Sequence, residues 1–121
     1  MSLIAQILVG AVALEHLFIL YMECFAWESS GKKIFRGAMP DDMFAKTKIM
    51  AQNQGTYNGF LAAGLIWSLC ISDEAWSQNV ATFFLTCVIV AGLVGAVTAS
   101  KKIFYTQSLP ALTALIVLYF I

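Results

Sequence analysis

An all-α integral membrane fold, a four-helix bundle, is what the sequence predicts, and three observations predict it. The chain has 121 residues, of which 60% are hydrophobic and only 12% charged, with mean hydropathy +0.81. Soluble domains carry roughly a quarter charged residues, and so short a soluble chain would lack the polar surface to cover itself. The apolar residues fall in four long runs, Leu3–Trp27, Ile49–Ile71, Asn79–Ala99 and Ile103–Ile121. Each is near the ~20 residues that a helix needs to cross about 30 Å of hydrocarbon. All seven basic residues lie in the first and third connections: Lys32, Lys33, Arg36, Lys46 and Lys48 in one, Lys101 and Lys102 in the other.

The first run has no Lys or Arg before Lys32 and no small-residue cleavage site after it, so it reads as a span rather than a signal peptide. Ser29-Ser30-Gly31 is its expected stop. In the long connection Glu28–Lys48, Pro40-Asp41-Asp42 reads as a helix start, with acids at the positive dipole end. The second helix is thus expected to begin near Asp41, ahead of its apolar run. Gly31 to Met39 reads as a basic loop at the phospholipid surface rather than a lid. The second and third runs are separated by Ser72–Gln78, which carries only Asp73 and Glu74, and the last two by Ser100–Lys102. The runs are continuous and lack period-2 alternation, which indicates helices rather than a barrel.

Charge sets the orientation. The basic first and third connections are expected in the cytoplasm and both termini outside. Trp67 and Trp76 suit the outer interface and Trp27 the inner one. Zero formal net charge gives no general attraction to nucleic acid. Cys24, Cys70 and Cys87 have neither metal-ligand nor redox spacing and read as small buried hydrophobes.

The functional signal is polar. Glu15, His16 and Glu23 lie inside the first run, where ionisable groups are costly and mark a site by default. His16 and Glu23 are seven apart, within about 20° of one stripe, whereas Glu15 is offset from Glu23 by about 80°. At 1.5 Å per residue, Glu23 is expected level with Asn53 and Gln54, and His16 level with Asn58. Gln54 and Asn58 are expected on one face with Tyr57 beside them, and Gln107 at shallow depth on helix four. Gly55, Gly59 and Ala63 form a small-residue ridge, and Ala91, Gly95 and Ala99 form another, suiting close helix packing. Pro110 is expected to free a carbonyl near the polar layer. One His with two acids is a thin metal set, so no metal site is expected. Asn and Gln also serve as interhelical glue, and Glu23 is near enough to the interface to snorkel.

Glu15-His16-x-x-Ile19-x-x-x-Glu23-x-Phe25-x-Trp27, Asn53-Gln54-Gly55-x-Tyr57-Asn58-Gly59-Phe60-Leu61-Ala62-Ala63-Gly64-Leu65 and Gln107-x-x-Pro110-Ala111 resemble three motifs of domain of unknown function 1304. The resemblance implies a four-helix bacterial inner-membrane protein without an assigned activity. Two looser likenesses rest on architecture alone. Small multidrug resistance transporters share the length, the helix number and one glutamate midway along helix one. They have short loops and weak charge bias, which this chain has not. MAPEG transferases share outer termini and a sizeable first connection, but place arginines in the pocket, whereas the stretch around Asn53 has none.

The functional expectation is a polar intramembrane pocket open to the cytoplasm, built from Glu15, His16, Glu23, Asn53, Gln54, Tyr57, Asn58 and Gln107. It would take a small polar or amphiphilic molecule, in a homo-oligomer within the bilayer. In that version Glu23 and His16 form the acid–base pair. The alternatives are proton-coupled transport through Glu15, a MAPEG-like transferase, and an accessory subunit whose polar groups lock it to partner helices.

Overall fold

The computed structural model describes Met1–Ile121 and is all-α, with no strand beyond one isolated bridge between Arg36 and Met39. Six α-helices follow one another: α1 Leu3–Phe25, α2 Lys32–Ile34, α3 Met43–Lys46, α4 Lys48–Cys70, α5 Glu74–Thr98 and α6 Leu109–Phe120. Two π-helical turns, Trp27–Gly31 and Phe104–Ser108, join α1 to α2 and lead into α6. The long helices contact one another in a closed ring: α1 packs on α4, α4 on α5, α5 on α6, and α6 back on α1.

α1 opens where Ser2 accepts the Ala5 amide as an N-cap. It stops at Phe25, two residues before the expected Trp27, because Ala26 leaves helical geometry at φ −137°, ψ 27°. The turn that follows is closed by Gly31 N donating to Ala26 O at 2.9 Å. A methyl group at Gly31 would lie 2.7 Å from the Trp27 ring, so the indole folds over a position that only glycine fills without displacement.

The helix start expected at Asp41 appears as α3, a single turn that leads into α4 through Thr47. Thr47 interrupts the axis at φ −104°, ψ 9°, yet its amide and carbonyl keep the ladder, to Met43 O and from Ala51 N, each at 2.9 Å. The expected connection Ser72–Gln78 is shorter than read. Asp73 caps α5 by accepting from Trp76 N at 2.9 Å, so the helix starts at Glu74 instead of Asn79. A carboxylate cap with an acid in the first turn outweighs the polarity of Ser77, Gln78 and Asn79.

The last helical stretch carries the π-turn beside Pro110. Leu109 N bonds Phe104 O, one residue further back than in an α-helix. Pro110 has no N–H to give, and the π-turn absorbs the resulting shift in the ladder. What the structure shows at the position expected to free a carbonyl is this π-turn, with Pro110 in the first turn of α6.

Glycine contacts fix the register. Cβ atoms built at Gly55 and Gly59 would strike Cys24 and Leu20, and one at Gly10 would touch Leu69, so α1 and α4 run antiparallel. Gly92 and Gly95 receive Ser108 and Ile103 in the same way. The small-residue ridges therefore run differently from the sequence reading. On α4 the buried line is Ala51, Gly55, Asn58, Ala62 and Leu65, and Ala63 is exposed. On α5 it is Leu85, Val88 and Gly92, with Ala91 and Ala99 exposed. Repeated steps of four advance about 40° each around a helix, whereas alternating steps of three and four hold one face.

Only 28 of 121 residues are buried. α1 and α5 are long and apolar enough to cross a membrane. α4 has the length, but the polar stretch Lys48–Asn58 leaves it less apolar, and Phe104–Phe120 is apolar but shorter.

Candidate functional site

The line on α1 that faces α4 and the core is Ala5, Val9, Val12, His16 and Glu23, stepping by three, four and seven. His16 and Glu23 thus share a buried stripe, as their spacing requires. His16 is fully buried and Glu23 is 5% exposed. Glu15, offset around the helix, is only part-buried.

Glu23 has a partner on α4. Asn58 Nδ2 donates to Glu23 Oε1 at 2.7 Å and to the Gln54 carbonyl at 3.2 Å. A carbonyl only accepts, so the second bond fixes which end of the amide faces it and directs an N–H at the carboxylate. Burial of both side chains shields the pair from competing water.

His16 is pinned on one side. Its Nδ1 lies 2.8 Å from Val12 O. Val12 O can only accept, so Nδ1 carries the proton and the neutral ring presents Nε2 as an acceptor. Nε2 is buried and has no partner within the chain, and the same is true of Glu15 Oε1.

The other candidates are placed differently. Asn53, Gln54 and Tyr57 are exposed, and Gln107 is part-buried in the second π-turn. Gln54 contributes its backbone carbonyl rather than its side chain. The expected stacking of Gln54 on Asn58 fails because Asn58 turns inward, on the line of Gly55 and Ala62, while Gln54 lies beyond the edge of that line. His16 is not level with Asn58 either. The glycine contacts slide the helices so that Leu20 meets Gly59 and Cys24 meets Gly55, which puts His16 a turn deeper than Asn58. Among the candidate residues, the hydrogen bond between helices is the one from Asn58 of α4 to Glu23 of α1. No three His, Cys, Asp or Glu side chains come together in a way that could hold a metal ion.

The cysteines are not the buried hydrophobes that their spacing implied. Cys70 is exposed, Cys24 and Cys87 are intermediate, and the Cys24 thiol donates to Gln52 O at 3.4 Å. Sulfur at position 24 fits because Gly55 opposite has no side chain.

Sequence reasoning missed an aromatic clasp at the end of α1. Trp27 packs on Phe44 and Phe35, with ring centroids 5.2 and 5.8 Å away, and donates its indole N–H to Thr47 Oγ1 at 2.9 Å. Phe44 is 1% exposed. The signal was Phe44 one turn before Lys48, on the same face as Ala51. Beside the clasp, at the break in α1, is a cleft of about 280 Å³ between residues 24–29 and Lys48. A second groove, about 450 Å³ and apolar, lies along α1 between Ile7 and Leu17, with Ile66 of α4.

Comparison with known proteins places the chain among relatives by sequence. The family described as "Protein of unknown function (DUF1304)" matches residues 10–119. The chain is 32% identical over 121 residues to "Uncharacterized protein YpaA" of Lactococcus lactis subsp. lactis (strain IL1403), covering 99% of this chain and 100% of that one. No solved structure matches it significantly.

Proposed function

We propose, for a chain that belongs to the DUF1304 family of proteins of unknown function, a four-span inner-membrane protein that binds a small polar or amphiphilic molecule at a buried polar site. The observation that carries this reading is His16, fully buried with Nε2 unpartnered, next to Glu15 with Oε1 unpartnered. A buried polar atom left unpaired costs about 1–3 kcal/mol. Each of the two atoms is a place for a donor that the chain does not itself supply, that of His16 in the core and that of Glu15 around the helix from it.

Glu23, held by Asn58, completes a stripe on which His16 accepts a proton and the carboxyl exchanges one. Asn53, Gln54, Tyr57 and Gln107 stand outside the buried contact and would meet a ligand, or a second copy of the chain, at its rim. Membrane placement is supported by the apolar windows of α1 and α5, only 28% and 22% of which are buried. A soluble protein would bury such helices. The Lys and Arg residues cluster at one end of the helices, whereas Met1 meets Glu74 at the other. This favours cytoplasmic first and third connections and outer termini.

Native mass spectrometry of protein released gently from its own membrane tests the reading. A stoichiometric small molecule, retained by wild type and lost from His16→Phe, is the expected result. Empty wild-type protein that keeps its fold would sink it. Proton-coupled transport is a second reading, favoured by the unpartnered Glu15 Oε1. It requires that Glu15→Gln abolish proton-coupled flux.

A further inference from the structure

The cleft at the break in α1 carries one cation and one anion. Lys48 Nζ stands 3.6 Å from Glu28 Oε2, and the two side chains are 53% and 49% exposed. That separation is too long for a hydrogen bond, and a half-exposed pair of this kind is weak. Both charges therefore keep free bonding capacity. Ser29 donates its hydroxyl to Ala26 O at 3.4 Å, which leaves the oxygen free to accept. Trp27 forms the wall, its N–H already given to Thr47. The volume, about 280 Å³, is just below the ~300–1,000 Å³ of sites for drug-sized ligands, which suits a small head group.

The cleft also continues into an apolar track. Phe25, Tyr21, Phe18 and Leu14 fall on one outward line of α1, and each is exposed. Leu14 and Leu17 line the apolar groove further along. From Phe25 to Leu14 the line is about 16 Å long, close to one leaflet of hydrocarbon.

We infer that the cleft holds the head group of a zwitterionic phospholipid, with Lys48 on the phosphate, Glu28 and Ser29 on a primary ammonium, and the acyl chains along Phe25, Tyr21 and Phe18. A purely anionic head group would leave Glu28 facing like charge. A phosphodiester carrying an amine satisfies both side chains at once. This rests on the membrane reading above.

The test uses the full chain in nanodiscs of equimolar phosphatidylethanolamine and phosphatidylglycerol, with retained lipids counted by native mass spectrometry. Wild type is expected to keep the ethanolamine lipid over the glycerol lipid by roughly tenfold, the ratio that one charge-assisted contact gives. Glu28→Gln leaves a lone cation and reverses the preference, and Lys48→Gln abolishes enrichment of both. Neither half-exposed side chain is part of the core, and circular dichroism checks the fold of each variant. Retention at the bulk ratio by wild type, or an unchanged ratio in Glu28→Gln, overturns the inference. Displacement of the lipid by millimolar soluble phosphoethanolamine would overturn the lipid as occupant and assign the cleft to the free head group. A prior alkaline wash separates the two levels: protein released into the supernatant defeats the membrane reading. Protein that stays inserted without lipid preference defeats the head-group site alone.

Discussion

Asn58 and Glu23 form a pair in which each residue constrains the other. The Gln54 carbonyl orients the amide, and the amide supplies the donor that a buried carboxyl requires. Asn58→Ala removes that donor and leaves Glu23 in an apolar contact, a loss of about 1–3 kcal/mol. Glu23→Gln keeps an acceptor for the same N–H and changes stability by less than about 1 kcal/mol. Thermal unfolding in detergent should rank them in that order, and equal losses would contradict the pairing. The glycines allow a second comparison at this scale. A Cβ at Gly55 would lie 2.7 Å from Cys24 Sγ, 2.9 Å from Glu23 Cβ and 3.2 Å from the Cys24 amide, so backbone must move. Gly55→Ala is expected to cost about 1–3 kcal/mol. At Gly59 the collision is with the tip of Leu20, which can change rotamer. There the better helix propensity of Ala offsets the adjustment, and Gly59→Ala should fall within about 1 kcal/mol of wild type. Similar losses at both positions would mean that the α1–α4 register is not set at Gly55.

Connection 28–47 is the element whose behaviour the clasp decides. It bends at Gly37, where φ is +86° and Ala38 N returns to Phe35 O at 3.0 Å, a turn that glycine adopts without strain. Its anchor is Phe44 under Trp27. Phe44→Ala removes a side chain whose loss costs about 3–5 kcal/mol in a packed core. The cost falls on the connection, because α1 and α4 keep their own contact. Trypsin should then cut at Lys32, Lys33 and Arg36 much faster than in wild type, with the long helices still protected. Unchanged cleavage would mean that the clasp does not hold the loop. The same elements show what was legible in advance. Apolar runs gave the long helices, and the seven-residue spacing gave the His16–Glu23 stripe, because both follow from helical period alone. Depth matching between helices was not legible. It depends on where Gly55 and Gly59 let the backbones approach, and counting residues from a supposed interface displaced His16 by a turn. The π-turns and the clasp were also hidden, since they arise from contacts between distant residues such as Trp27 and Thr47.

At the scale of the whole molecule, surface and charge point the same way. The accessible surface is 7412 Å², against about 6,400 Å² for a soluble monomer of this mass. Much of the excess is apolar: Phe25, Ile49, Val97 and Phe120 are each more than three-quarters exposed. A surface of this kind is stable where the solvent is itself apolar. Polarity, however, is concentrated at one end, where α4 begins with Lys48 and continues through Gln52, Asn53 and Gln54. On the proposed membrane reading the lower hydropathy of α4 is a matter of depth: its amides lie level with the Ala26 break in α1, and its apolar half, Phe60 to Cys70, lies level with the apolar half of α1. The proposed orientation, basic end in the cytoplasm, requires that a reporter active only outside the cell work when fused after Ile121 and fail when inserted at Ser100. A reporter active only in the cytoplasm should give the opposite pattern. Because the N-terminal ammonium lies 3.3 Å from Glu74 Oε1, an insertion at Ser72 should match the termini and not Ser100. Outer-side activity at all three positions would remove the cytoplasmic end on which the proposed polar site depends. Outer-side activity at Ser72 and Ile121, with none at Ser100, requires that α5 and the Phe104–Phe120 stretch each cross; the same reporter silent at Gly37, between an outer Met1 and an outer Ser72, makes four crossings and gives α4 its place among them.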